Sequence, residues 1–469
     1  MTSSLPRRSL RAALAACIAL LAGACMPGGG AGGPSPQAET TLPAADWNAQ
    51  SPAGDIATWA WQGCRRAAGG RDACIERTLV SLIDQAGIAK SMEVLDTLAT
   101  RDDGMRNNAH PLAHGLGIAA YRSPETLAAT FAACPVSQMS GCPHGVIQGY
   151  FLDLSRQGRS IGTAEVDGLC NPHKDNQFMY FQCAHGVGHG LMAVHENHLP
   201  MSLESCDLAT DDFIRLSCYG GAFMENIVNA THPHHSAGGH ATTQGDGHGG
   251  HGQPAQADHG DGHAGHGEPA AAGHGDHGAH GGQAAMDHGD WKALDRNDWL
   301  YPCNAVADKY QDACYTMQTS AVMYFNYGDV PATAAVCDRA PSQFAATCFM
   351  SLGRDITAFA AQQHQRTIDM CLRTSASAGG GRGRQWCYLG AVQTLMNQSA
   401  DSEPGMRFCR LLQGTDDKGE CYRVVGQMVS TLVTDTGART ERCRAAENEF
   451  VATCRRGAGV EPLSTGSDE

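Results

Sequence analysis

Apolar residues recur at helical spacing along the body of the chain, in stretches of alternating length. The longer stretches open at a cysteine: Cys348-Phe349-Met350-Ser351-Leu352 runs on to Ile356 and Phe359, and Cys421-Tyr422 runs through Val424, Val425, Met428, Val429 and Leu432. This recurrence every three or four residues predicts amphipathic helices. The shorter segments close at another cysteine and often begin with proline, as in Ser123-Pro124, Leu199-Pro200, Val330-Pro331 and Glu403-Pro404. Proline is pre-organised for a first helical turn, where its missing donor would be orphaned anyway. The predicted unit is a helix, a turn, a second helix and a covalent bridge across the next short loop.

The cysteines set the period of this unit. Of 20, Cys17 and Cys25 lie near the N-terminus. The other eighteen fall into neighbouring pairs: Cys64 with Cys74, Cys134 with Cys142, Cys170 with Cys183, Cys206 with Cys218, and Cys303 with Cys314. The rest are Cys337 with Cys348, Cys371 with Cys387, Cys409 with Cys421, and Cys443 with Cys454. An even set with no member left over points to disulfides in an oxidising compartment. No Cys-x-x-Cys occurs, which excludes a thioredoxin-like motif, a c-type haem site and a zinc ribbon. From residue 142 onward the second cysteines follow one another at 30 to 41 residues, except for the gap between 218 and 314, which holds an insertion. Two helices per such period predict an all-α fold, an α-solenoid of disulfide-stapled hairpins. Each staple closes a loop of roughly ten to fifteen residues, worth about 3 kcal/mol in the chain-entropy model. The predicted organisation is N-terminal repeats over 56–230, an insertion over 231–290, C-terminal repeats over 291–458 and a tail over 459–469.

In period and cysteine placement this resembles the disulfide-bridged Sel1-like and TPR-like repeat proteins exported by some bacteria. The resemblance covers most of residues 56–458, with only a trace of the Ala/Gly/Tyr consensus (Leu352-Gly353, Leu389-Gly390). It implies architecture, not activity.

The N-terminus predicts export. Arg7, Arg8 and Arg11 precede an apolar stretch from Ala12 to Ala24 that is too short to span a bilayer. It ends in Leu21-Ala22-Gly23-Ala24-Cys25, which resembles the lipobox of bacterial lipoproteins and implies a signal peptide over 1–24 with Cys25 lipidated. Leu14-Ala15-Ala16-Cys17 also fits the pattern but leaves too few apolar residues before cleavage. Residues 25–55, rich in Gly, Pro, Ala and Ser, read as a flexible tether. Met26 in place of the Asp that signals inner-membrane retention favours the outer membrane, periplasmic side. Removing the signal takes the formal charge from −15 to −18. So acidic a chain is a poor partner for nucleic acid, which requires clustered Lys and Arg.

Aligning the repeats on their second cysteine brings histidines into register. Two residues after it stand His144 (Cys142-Pro143-His144-Gly145) and His185 (Cys183-Ala184-His185-Gly186), and the preceding unit keeps the pattern without the cysteine, as Leu112-Ala113-His114-Gly115. Six residues after the reference point come Gln148, His189 and, one unit on, Met224, followed by Glu225. Repeat helices pack about 8–10 Å apart, so imidazoles from successive units can reach one ion. His185 with His189 and His110 with His114 are i, i+4 pairs on single helix faces. The glycines after the histidines, and Gly188, favour close backbone approach. A helix N-terminus would keep the rings neutral. The predicted ligands are His114, His144, His185 and His189, with His110, Gln148, Met224 and Glu225 as further ligands or ligand supports. Zinc or copper fits best, with nickel and iron also open, and Met192 or Met224 would favour copper. The alternative is that these histidines pack and cap a repeated interface. His195 and His198 read as surface residues, and His195-Glu196-Asn197-His198 is one residue too short for a metalloprotease helix.

Residues 231–290 carry 13 histidines among Gly, Ala and Asp. With almost no apolar side chains they predict disorder. They resemble the metal-gathering loops of exported zinc-, nickel- and copper-handling proteins, or else form a plain solvated linker. No Gly-x-Ser-x-Gly elbow, P-loop or dinucleotide fingerprint occurs. The expected function is metal capture, delivery or tolerance at the cell envelope, with a possible envelope partner. The alternatives are a metal-dependent hydrolase or oxidoreductase with Glu225 as base, and a protein-binding scaffold.

Overall fold

The computed structural model describes residues 48–67, 70–231, 291–376 and 380–460. The predicted signal peptide, Cys25, the tether before residue 48, nearly all of the histidine-rich insertion and the end of the tail lie outside the described residues. Every regular element among the described residues is helical. The fold is the predicted solenoid of stapled helical hairpins.

Three helices open it: α1 (Ala53–Cys64), α2 (Arg71–Ala86) and α3 (Ile88–Arg101). Long and short helices then alternate through α4 (Asp103–Ala120), α5 (Leu127–Ala133), α6 (Ser137–Arg156), α7 (Thr163–Gly168), α8 (Gln177–Val194), α9 (Leu199–Cys206) and α10 (Asp212–Thr231). After the insertion come α11 (Asp308–Phe325), α12 (Val330–Cys337), α13 (Ala345–Phe359), α14 (His364–Leu372) and α15 (Gly380–Ser399), then α16 (Glu403–Leu411), α17 (Thr415–Leu432), α18 (Thr436–Cys443) and α19 (Val451–Gly457). The prolines begin helices as expected: Pro124 opens a 3-10 turn, and Pro200, Pro331 and Pro404 sit in the first turns of α9, α12 and α16. Asp102, Asn176, Asp329 and Asp435 cap α4, α8, α12 and α18 through the backbone N–H three residues on.

All nine predicted disulfides form, with Cα–Cα separations of 5.4–5.8 Å. From the second to the eighth, each ties the end of a short segment to the long helix that follows it, and the ninth ties α18 to the short closing helix α19. The long helices form a continuous inner layer, α4 on α6, α6 on α8, α8 on α10, and so on to α19. The insertion does not interrupt this layer, because α10 packs directly on α11.

The contacts within the layer are not uniform. Gly117 and Gly145, on α4 and α6, lie against each other's backbone, as do Gly188 and Gly221 on α8 and α10. Gly353 with Gly390 and Gly426 with Gly457 repeat the arrangement on α13–α15 and α17–α19. In every one a Cβ would fall on a carbonyl oxygen of the facing helix. Helices therefore touch backbone to backbone in alternate pairs on each side of α11, which makes no such glycine contact with either neighbour. The layer also curls until α15 meets α6 and α17 meets α8. The C-terminal half thereby becomes the opposite wall of a cavity of about 400 Å³.

Candidate metal centre

Four inner helices converge on one cluster. α4 contributes His110 and His114, α6 His144 and Gln148, α8 Gln182, His185 and His189, and α10 Glu225. Spacings of three or four residues turn each helix's contributions to one face. All are buried except His110, which is partly so. The close helix pairs make the convergence possible, since Gly145 rests on the carbonyl of His114 and Gly221 on that of His185.

Ring centroids lie 4.6 Å apart for His110 and His114, 4.5 Å for His114 and His189, and 5.2 Å for His144 and His189. His185 is 5.0 Å from both His144 and His189. The rings of residues 114, 144 and 185 thus belong to one group, as the register of the repeats predicts.

The hydrogen bonds direct these rings. His144 Nε2 donates to Gln182 Oε1 at 2.9 Å, and His189 Nδ1 donates to Glu225 Oε2 at 2.7 Å. His110 Nδ1 donates to the Gln138 carbonyl at 2.7 Å. That carbonyl is delivered by an unusual turn in which Gln138, Met139 and Ser140 have φ of 53°, 51° and 59°. Left-handed backbone costs a non-glycine residue about 1–2 kcal/mol, and here it holds the His110 ring in place.

His144 Nδ1, His185 Nδ1 and His189 Nε2 are buried without a hydrogen-bond partner. The same three residues each offer a ligand atom, and those atoms lie within 4.8 Å of one another. An unsatisfied buried polar atom costs about 1–3 kcal/mol, so three together form a site that an imidazole-binding ion would complete. His110, His114 and His144 form a second such group, and His114, His189 and Glu225 a third. These buried histidine clusters could hold a metal ion.

Electrostatics keeps the rings neutral and able to ligate. Burial pushes His110 down to about 4 and His189 to about 3. It also drives His114, His144 and His185 well below the ordinary histidine range, with neighbouring imidazoles adding to the effect. The expected role of helix N-termini is corrected for His185 and His114, whereas His144, four residues past the left-handed turn at Gln138–Ser140, stands in the first turn of its helix. His185 is the ninth residue of α8 and His114 the twelfth of α4, beyond the reach of a terminal dipole. Desolvation does the work instead.

Met224 lies outside the histidine groups but lines the large cavity with His144, His185, Met139, Met317 and Met350. Met192 is buried in α8. His195 bonds Ser205 Oγ at 2.7 Å, and His198 Nδ1 accepts from the Met201 N–H at 3.3 Å to cap α9, so both serve local structure. Of the glycines that directly follow a histidine, Gly145 meets facing backbone most closely, while Gly115 meets the Glu76 side chain, Gly186 meets the Ile147 side chain at 3.2 Å and His144 Cα at 3.4 Å, and Gly190 meets the Phe151 ring. Sequence reasoning missed Gln182 and Gln138, which hold rings, and the close-contact partners Gly117 and Gly221. The glycines left a partial signal: Cys-x-x-Gly recurs at the tight contacts Gly145, Gly221, Gly390 and Gly457, but also at Gly186, which packs less tightly.

No protein-family model, curated protein or solved structure matches this chain.

Proposed function

We propose that this is an exported envelope lipoprotein, anchored through Cys25, that binds a transition-metal ion through His144, His185 and His189. The observation that carries the reading is the set of three buried, unpartnered imidazole nitrogens on adjacent helices. Gln182 and Glu225, bonded to the far sides of His144 and His189, are the outer supports that metal-binding histidines characteristically have. Nine disulfides support an oxidising compartment. The methionines around the adjoining cavity favour copper over zinc, because thioethers select soft monovalent copper. The histidine-rich segment gathers ions at modest affinity and the ordered cluster retains them, which suits capture, delivery or tolerance. The likeness to exported Sel1-like and TPR-like proteins is architectural and adds nothing to this.

A second reading is favoured by the cavity. His144 and His185 face a space far larger than an ion requires, and a three-histidine ion with an open position is an arrangement for metal-dependent catalysis.

Elemental analysis of the full chain after desalting against a weak competing ligand tests the binding reading. Tightly held metal should fall in His185→Gln/His189→Gln while the metal-free protein keeps its helical content. Unchanged retention would make the cluster a packing feature. For the location, Cys25→Ser should release the protein from the membrane fraction, and persistence there would refute the anchor.

A further inference from the structure

We infer that the cluster holds two ions, the second in a small pocket formed by His110, His114, Gln148 and Glu225. The inference rests on the metal-binding reading but concerns different residues.

The cluster is elongated and has two openings of very different size. At one end His144 and His185 face the cavity of about 400 Å³. At the other, His110, His114, Gln148 and Glu225 border a pocket of about 10 Å³, roughly the room for one water-sized body.

The donors are turned toward that pocket's scale. His110 Nε2 and His114 Nε2 share a hydrogen bond at 3.2 Å. The Gln138 carbonyl can only accept, so the His110 proton sits on Nδ1 and its Nε2 accepts from His114 Nε2–H, a proton that an ion between the two nitrogens would displace. Glu225 is oriented from two directions, by His189 on Oε2 and by the Asn229 amide on Oε1 at 3.2 Å. Its carboxylate supplies the negative charge that a divalent ion would balance in a buried setting. Two imidazoles and a carboxylate, with the Gln148 amide beside them, make a donor set suited to a divalent ion of the zinc class.

Donor count argues against a single ion. Five imidazoles and a carboxylate exceed the four positions of a tetrahedral centre. Assigning His144, His185 and His189 to the cavity side leaves His110, His114 and Glu225 on the pocket side, with His114 the member that groups closely with each of the other two. The His189–Glu225 hydrogen bond then links the two centres.

Counting tightly held Co(II) on full-length chains tests this, with loosely held ions stripped by desalting in free histidine. The histidine-rich segment is the same in every chain, so differences report the cluster. His110→Gln/His114→Gln should retain one ion fewer than the unaltered chain, His144→Gln/His185→Gln should also lose one, and the fourfold variant should lose two. In the Cu(II)-loaded protein, spin–spin coupling should suppress the electron paramagnetic resonance signal, and either double variant should restore an isolated-ion spectrum. If the fourfold variant loses only one ion, or His110→Gln/His114→Gln loses none, the second site does not exist. If His144→Gln/His185→Gln loses none, the binding reading itself fails.

Discussion

Gly221→Ala should loosen metal binding without touching a ligand. The added Cβ would land on the carbonyl oxygen of His185, with the His185 carbonyl carbon at 3.0 Å and Gly188 Cα at 3.2 Å. All three are backbone atoms, so no rotamer change relieves the clash. Restoring an ordinary contact requires α8 and α10 to part by on the order of 1 Å. Overpacking of this kind costs about 1–3 kcal/mol, and alanine returns about 1 kcal/mol of helix propensity. The metal-free protein should therefore lose between zero and about 2 kcal/mol. Metal binding should suffer more, because coordination tolerates about 0.2 Å and the displacement reaches both His185 and the His189–Glu225 bond. A roughly tenfold or greater fall in Co(II) affinity, about 1.4 kcal/mol, is expected. Gly63→Ala in α1, where a Cβ meets nothing within 4 Å, is the control and should be neutral or stabilising. Denaturant melts in chelator and competition titrations with Co(II) give both numbers. If Gly221→Ala behaves like Gly63→Ala in both, the backbone contacts do not set the geometry of the cluster.

Other consequences follow from the same geometry. The metal-free chain should lose stability as pH falls from about 6.5 toward 4, because unfolded histidines take up protons that the buried rings refuse. With His110 lowered to about 4, the slope should flatten in His110→Gln by up to about 3 kcal/mol over that window, and an unchanged slope would contradict the burial argument. Gln182→Leu frees His144 Nε2 and should weaken metal affinity about 10- to 100-fold, read by chelator competition; an unaffected affinity would make Gln182 a bystander. Replacing Met139, Met224 and Met350 by leucine should weaken Cu(I) retention while leaving Co(II) unchanged, and equal retention of Cu(I) would reduce the methionines to packing.

Much of this was legible along the chain, for identifiable reasons. The disulfides span 8 to 16 residues, so their pairing is local and the cysteine spacing reports it directly. The histidine column was legible because a solenoid converts register into proximity, and His114, His144 and His185 keep that register. What neighbours in sequence could not reveal is the curl of the inner layer. Gln393, Thr394 and Asn397 of α15 line the cavity with His144 and His185 only because α15 returns to α6, a contact set by accumulated small rotations between repeats. The neutrality of the His185 ring was anticipated for the wrong reason, since α8 begins at Gln177, well before it. The close helix pairs were only partly legible in Cys-x-x-Gly, because Cys183-Ala184-His185-Gly186 carries the same motif without the tight backbone contact.

The most direct measurement is anomalous diffraction from crystals of the metal-loaded chain. The account predicts a peak within bonding range, about 2.0–2.1 Å, of His144 Nδ1, His185 Nδ1 and His189 Nε2. A fully loaded protein whose three nitrogens stay bare, with every ion bound elsewhere, would contradict it.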